Sequence, residues 1–227
     1  MSGLGEQMPG FQVGAGGQIQ SSDIDRYGLY QIIGPMMGTF SWGTVTGTNA
    51  QTKTLVFDQV YADYPRNVEV KILPASGSVA GGTFTLTGKN QFGEPVSETF
   101  AIGTAANGGT AVGTKVFAFL GTCAGTMGTG DAGASTVTLY PASTGTTALF
   151  GLPAKIASTL DVKMITMGST GVAKAVNGGT VGGFVDTTNH AIKAPNTITT
   201  PAANATWISV WYKSSWRNEF KSPVAGL

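Results

Sequence analysis

The chain has 227 residues, of which 41% are hydrophobic and 11% are charged, and its formal net charge is +1. This apolar content can fill a core, whereas disordered chains combine low hydrophobicity with high net charge. The near-neutral balance argues against nucleic-acid packing, which needs clustered Lys and Arg. The 34 glycines, together with frequent Thr, Ala and Ser, predict strands and turns with an uncharged, polar surface.

Residues 1–26 contain mainly Gly, Gln and Ser and show no regular apolar period, so we predict a flexible N-terminal arm. The arm has neither the basic start nor the apolar block of a secretory signal. No run of the sequence approaches the roughly 18 apolar residues that a membrane helix needs. We therefore expect synthesis in the cytoplasm and no membrane partner.

Short alternating segments recur from Tyr27 onward at the spacing typical of β-sandwiches and barrels. No segment of ten or more residues carries an apolar stripe of period 3.6. We predict an all-β fold, an antiparallel β-sandwich or barrel with long Gly/Thr-rich loops, in a body that spans residues 27–227. The predicted strands are 27–33, 38–47, 52–61, 66–73, 83–89, 96–102, 114–120, 135–140, 155–167, 181–186 and 205–213.

Three stretches lack the alternation of strands and are predicted as exposed loops: 103–113, 121–134 and 169–180. The last could hold at most a short turn of helix. A sub-boundary of the body is possible near 141–148, where PASTGTTA separates two β-rich groups.

Residues 83–102 predict a β-hairpin, because two alternating segments flank a polar Gly/Pro turn at Gln91–Pro95. Phe84 and Leu86 share one face of the first arm, and threonines occupy the other. On the second arm, Val96, Phe100 and Ile102 share a face, and Glu98 interrupts this apolar series.

The segment 205–213 also alternates, with Ile208 and Val210 on one face and Trp207 and Trp211 on the other. Because both faces are partly apolar, the strand is either central to a core or covered on its aromatic side by another chain. A platform for stacking sugars is a further alternative. Trp216 and Phe220 follow in a charged tail that we expect to dock on a neighbour.

Catalytic and metal-binding patterns are weak, so we expect no enzyme, no metal and no cofactor. His190 is the one imidazole of the sequence, and its setting predicts a strand end or turn in contact with backbone. Cys123 has no second Cys or His near it in sequence and is predicted to be inert. The run GTGDAG formally matches a dinucleotide fingerprint, but STVTLYP follows it where a helix is required.

Five segments follow one another in the order YPRNVEV (64–70), TGKNQFGEPVSETFAI (87–102), VGTKVFAFLGT (112–122), LFGLPAKIAS (149–158) and DVKM (161–164). Together they resemble a pattern found in virion structural proteins of tailed bacteriophages, of the head decoration or capsid cement type. The hairpin phrase is the most distinctive. In the C-terminal third only a general likeness remains.

The resemblance implies a non-enzymatic protein on the outside of a phage head, bound to the major capsid protein and self-associated, we expect as a homotrimer. The alternatives are a tail, baseplate or fibre component that binds a host surface, where Trp207 or Trp211 would stack on glycan, and a major shell protein. The candidate contact residues are Phe11, Gln18, Trp207, Trp211, Trp216 and Phe220.

Overall fold

The strands of this protein are antiparallel throughout the part of the chain that the structure describes. In that part the helices are short 3-10 helices, and none is long and apolar enough to cross a membrane. The predicted all-β antiparallel fold is confirmed, and its separate sheets fit a sandwich. The computed structural model describes residues 27–33, 35, 41–48, 50–74, 80–106, 108–128, 134–143, 147–169, 172–195 and 207–213.

The largest sheet, here called the middle sheet, has eight strands. They are β3 (Thr52–Thr54), β5 (Tyr61–Arg66), β7 (Ala80–Lys89), β8 (Pro95–Ala105), β10 (Phe117–Met127), β12 (Leu149–Gly151), β15 (Val185–Asp186) and β16 (Ala191–Lys193). Their order is β15-β16-β12-β5-β10-β7-β8, and β3 pairs with β10 beside this path. The hairpin β7–β8 therefore forms one end of the sheet.

A five-stranded outer sheet contributes to the first core together with β7, β8 and β10. Alternate residues of these strands point inward, and Phe84, Phe117 and Leu139 are fully buried among them. Burial of each such side chain contributes about 1.5–3 kcal/mol. The outer strands, in the order β4-β2-β11-β6-β9, are β2 (Gly43–Gly47), β4 (Val56–Phe57), β6 (Val68–Leu73), β9 (Gly109–Val112) and β11 (Ser135–Pro141).

A four-stranded terminal sheet brings both ends of the described chain together. Its inward side chains Ile165, Ile208 and Val210 are fully buried in a second core with Phe150 of β12. The strands, in the order β1-β17-β13-β14, are β1 (Tyr27–Ile33), β13 (Val162–Ser169), β14 (Val172–Asn177) and β17 (Trp207–Lys213).

The edge strand β1 is tied to the middle sheet by Tyr64. The Tyr64 hydroxyl donates to the carbonyl of Ile33 at 2.9 Å and accepts from its amide at 3.1 Å. Beside it, burial and the neighbouring Tyr64, Tyr212 and Asp63 raise the pKa of Tyr30 to about 12. Tyr30 therefore stays neutral in this apolar setting.

The two cores draw on different parts of the chain. The first contains buried residues between Trp42 and Leu139, and the second contains Ile32 and buried residues between Ala148 and Tyr212. The sub-boundary predicted near 141–148 lies between these two sets and stays a prediction. The predicted arm, residues 1–26, lies outside the described residues.

Several stretches predicted as loops form strands instead. Residues 109–112 are β9, β10 continues to Met127, and residues 172–177 of the predicted loop 169–180 are β14. In β10, Gly125 has no room for a side chain, because a Cβ there would lie 2.0 Å from the carbonyl oxygen of Thr83 on the neighbouring strand. This part of β10 therefore lacks the alternation of side chains that predicts a strand. Small residues at such close backbone contacts carry little hydrophobic signal.

Two predicted strands contain 3-10 helices. Within 155–167, Thr159–Asp161 is helical and β13 begins only at Val162; within 181–186, the helix Gly178–Phe184 precedes β15. The first helix is set by a capping box, in which Ser158 accepts from the Leu160 amide at 3.2 Å and Asp161 accepts from the Ser158 amide at 2.8 Å.

Candidate functional site

The RN pair of the YPRNVEV segment is buried. Arg66 is 0% exposed; its Nη1 donates to Asp63 at 3.0 Å and its Nη2 donates to the carbonyl of Ala142. The guanidinium carbon lies 4.7 Å from the centre of the Phe150 ring. Burial lowers the pKa of Arg66, and the Asp63 carboxylate opposes that shift. Arg66 thus ties β5 to β12 and to the segment after β11.

Asn67 extends this junction with its side-chain amide. Its Oδ1 accepts from the amide of Leu149 at 2.8 Å, and its Nδ2 donates to the carbonyls of Gly113 at 2.6 Å and Thr147 at 2.7 Å. Asn67 is also fully buried. Because buried amides need hydrogen-bond partners, these bonds hold the segments that contain Gly113, Thr147 and Leu149 against the start of β6.

The tip of the hairpin β7–β8 is shaped by Asn90. Its Oδ1 accepts from the amides of Phe92 at 2.9 Å and Glu94 at 3.0 Å, while Gly93 takes a φ of +78°. This conformation favours glycine. The Asx-type turn presents Gln91 and Phe92 to the loops after β12 and β15.

Gln91 and Phe92 dock the hairpin tip on His190. Gln91 Nε2 donates to the carbonyls of Asn189 at 2.9 Å and His190 at 3.4 Å, and the Phe92 ring centre lies 5.5 Å from the imidazole. The Nδ1 of His190 lies 3.1 Å from the carbonyl oxygen and 3.3 Å from the amide nitrogen of Ile156. The predicted contact of His190 with backbone is confirmed.

Glu98, which interrupts the apolar face of β8, binds the segment before β10. Its carboxylate accepts from the amides of Thr114 at 2.6 Å and Lys115 at 3.2 Å, and from the Thr114 hydroxyl at 3.0 Å. The Glu98 carboxylate therefore supplies hydrogen-bond acceptors for two backbone amides that do not pair with the backbone of β8. The polar residues of YPRNVEV (64–70) and of the hairpin segment 87–102 thus hold the strands of this molecule to one another.

The described residues contain no cluster of three or more His, Cys, Asp or Glu that could hold a metal ion. Cys123 is fully buried in the first core, and burial raises its pKa to about 12. A thiol in that state is a poor nucleophile. After the GTGDAG run and Ala134, the chain continues as the strand β11. A dinucleotide fingerprint needs a helix at that place.

One exposed surface of the middle sheet consists of Thr, Ser and Ala alone. Cross-strand pairing aligns Thr85 with Thr99 and Ala124, and places Thr83 beside Thr126. The Thr85 and Thr99 hydroxyls lie 2.9 Å apart. We call this surface the threonine face; it comprises Thr52 and Thr54 of β3, Thr83, Thr85 and Thr87 of β7, Ser97, Thr99 and Ala101 of β8, and Thr122, Ala124 and Thr126 of β10.

The threonine face is broad and carries no charge among its eleven residues. Strand geometry gives it about 13 Å along the strands and about 14 Å across them. Two cations border the face: Lys89 lies at its hairpin end, where β7 pairs with Phe119 of β10, and the Lys115 ammonium donates to the carbonyl of Ser97 at 2.6 Å. Since about a quarter of an ordinary protein's residues are charged, a neutral area of this size is unusual.

A second exposed surface lies on the outer side of the terminal sheet. Trp207 and Trp211 are 36% and 42% exposed, and Leu29 and Ile33 on β1 are 49% and 60% exposed. We call this surface the tryptophan face; with the half-buried or exposed residues between them it comprises Leu29, Gln31, Ile33, Met164, Thr166, Trp207, Ser209 and Trp211.

Of the six candidate contact residues, two lie in the described part of the chain. Trp207 and Trp211 share one face of β17, and Ile208 and Val210 are buried on the other, so the strand is both a core strand and an exposed aromatic one. The remaining candidates, Phe11, Gln18, Trp216 and Phe220, lie outside the described residues.

The threonine face was not among the candidate contacts. Alternation alone placed Thr83, Thr85 and Thr87 on one side of the hairpin, but only the pairing of β10 with β7 and β3 joins them into a wide surface.

No protein-family model matches the chain, and no curated protein matches it. The structure of infectious bursal disease virus Gx strain is similar over 92% of this chain and 45% of that chain, with 11% identity and a TM-score of 0.26. The chain therefore spans less than half the length of that viral chain. A likeness this weak carries no argument about function.

Proposed function

We propose that this chain is a non-enzymatic structural protein of a virus particle, a decoration or cement protein that binds the outside of a tailed-phage head. Two things support the proposal: the resemblance of its segments to such proteins and the charge-free threonine face. The threonine face is the observation that carries it. In this proposal it contacts the major capsid protein or a second copy of the chain.

A neutral face suits a protein that holds a shell together. Exposed ion pairs contribute only about 0–1 kcal/mol each and weaken as salt screens them. Contact through hydroxyl and methyl groups instead depends on area and fit. A standard interface buries about 800 Å² per partner, which is more than this face offers by itself.

Repetition supplies the missing contact area. Copies arranged around a symmetry axis bind as a group, so a modest affinity at each contact gives tight overall attachment. A homotrimer on the head is the assembly we propose. The tryptophan face lies on a different sheet and remains available for another contact.

A binding experiment with heads that lack the protein tests this proposal. Thr83→Lys and Thr99→Lys each place one cation on the threonine face, and a desolvated, unpaired charge opposes contact. We expect at least about tenfold weaker binding, measured by co-sedimentation. Thr46→Lys is the matched control, because Thr46 is an exposed strand threonine of the outer sheet.

Binding of the control should equal that of the unchanged protein, and binding of all forms should change little between low and high salt. If Thr83→Lys and Thr99→Lys bound heads at full affinity, the threonine face would not be part of the contact. Failure of the unchanged protein to bind heads at all would refute the decoration role.

A further inference from the structure

The tryptophan face is built as two apolar rows with a polar row between them. Pairing across β1, β17 and β13 sets each row at right angles to the strands. Neighbouring rows are about 6.7 Å apart, so the two apolar rows are about 13 Å apart. The rows are Leu29–Trp211–Met164, Gln31–Ser209–Thr166 and Ile33–Trp207–Gly168.

Trp207 lies over a glycine. A Cβ on Gly168 would meet three atoms of the Trp207 indole, Cε2, Cζ2 and Nε1, at 2.4–2.5 Å. The indole therefore lies across the Gly168 backbone, with one side against the sheet. Because Trp207 is still 36% exposed, part of the ring remains open to a ligand. Such a ring is held in place before any ligand binds.

The row between the tryptophans offers hydrogen bonds without charge. Gln31 Nε2 donates to the Ser209 hydroxyl at 3.4 Å, a long bond, and Thr166 adds a second hydroxyl on the other side of Ser209. None of these side chains is ionised. The nearest charge along β17 is that of Lys213, where the strand ends.

We propose that the tryptophan face binds a neutral oligosaccharide. A pyranose ring has apolar C–H faces and a rim of hydroxyls, which matches indoles at both ends of a neutral polar row. Sugar rings would stack on Trp207 and Trp211, and Gln31, Ser209 and Thr166 would pair with the hydroxyls between them.

A flat, purely apolar partner fits this face less well. It would cover the hydrogen-bonding groups of Gln31, Ser209 and Thr166 that are not used within the row, and burial of unpaired polar groups costs free energy. The hydroxyls of a sugar satisfy the same groups. This inference does not depend on the threonine face and holds whether the chain sits on a head or elsewhere.

Titration of the full chain with neutral oligosaccharides tests the inference. The probes are neutral hexose and N-acetylhexosamine oligosaccharides, first on a glycan array and then in solution by calorimetry. Trp211→Ala should bind at least about tenfold more weakly, and Trp211→Phe, which keeps a stacking ring, should recover most of the affinity. Gly168→Ala should also weaken binding, because it displaces the Trp207 ring.

Val56→Ala is the control, because it removes exposed apolar area on β4 of the outer sheet, away from the tryptophan face, and no ring. Its affinity for sugar should stay within about twofold of the unchanged protein. Near-ultraviolet circular dichroism verifies that each variant is folded. The proposal is overturned if no neutral oligosaccharide binds, if Trp211→Ala binds normally, or if sedimentation shows that these substitutions abolish self-association instead.

Discussion

Asn67 engages both polar groups of its side chain inside the protein. Its side-chain amide joins the start of β6 to Gly113 before β10, to Thr147 before β12 and to Leu149, the first residue of β12. Loss of the side chain removes the partner of the Gly113 carbonyl and of the Leu149 amide, both in buried residues. The buried polar junction is therefore a larger source of stability than the exposed ion pair of Lys155 with Glu94.

Asn67→Ala should lower the free energy of unfolding by about 2–4 kcal/mol, because it breaks a buried hydrogen-bond network. Equilibrium urea unfolding measures this loss, and Thr46→Ala at an exposed position should change stability by less than about 0.5 kcal/mol. Equal stability of the two variants would mean that the Asn67 bonds contribute nothing net.

The sequence indicated the roles of single residues unevenly. The burial of Cys123 contradicts the exposed loop predicted at 121–134, whereas the backbone contact of His190 was predictable from its setting. The burial of Arg66 and Asn67 was not, since both residue types are mostly exposed in proteins. Their contacts with Ala142 and Leu149 span more than 70 positions in sequence, so no local pattern could reveal these two bonds.

At the scale of elements, the hairpin β7–β8 is the best specified part of the fold. Alternation correctly placed Phe84 and Leu86 inside and the threonines outside. The turn follows from Asn90, whose side chain replaces backbone partners for two amides.

Asn90→Ala should destabilise the protein by about 1–2 kcal/mol and increase hydrogen exchange at the amides of Phe92 and Glu94, which lose their acceptor. Lys155→Ala is the comparison, because it removes an exposed ion pair with Glu94 and a cation–π contact with the Phe92 ring at the same tip. It should change stability by less than about 1 kcal/mol and leave the exchange of these amides unchanged. If Lys155→Ala had the larger effect, the ion pair and not the turn would hold the tip.

Other elements could not be predicted because their sequences lack alternation. The second half of β10 contains Gly125 against the backbone of β7, and β9 contains Gly109, whose Cβ would lie 2.8 Å from Ile102. Close packing demands small residues at such positions, and small residues resemble loops in composition. The capping box of the first 3-10 helix was likewise overlooked inside an apparently strand-like segment.

At the scale of the whole molecule, composition predicted a neutral surface but not its location. Low charge and frequent threonine were evident from the sequence. The threonine face exists only because β10 lies between β7 and β3, an arrangement set by tertiary pairing. The tryptophan face depends in the same way on β17 lying between β1 and β13.

The location of the chain in an electron-microscopy map of the intact particle tests the proposed decoration role most directly. We predict density for three antiparallel sheets on the outside of the head, with the threonine face turned toward the shell or toward a second copy. Density for the chain only in the tail, or a threonine face turned to solvent in every copy, would contradict the account.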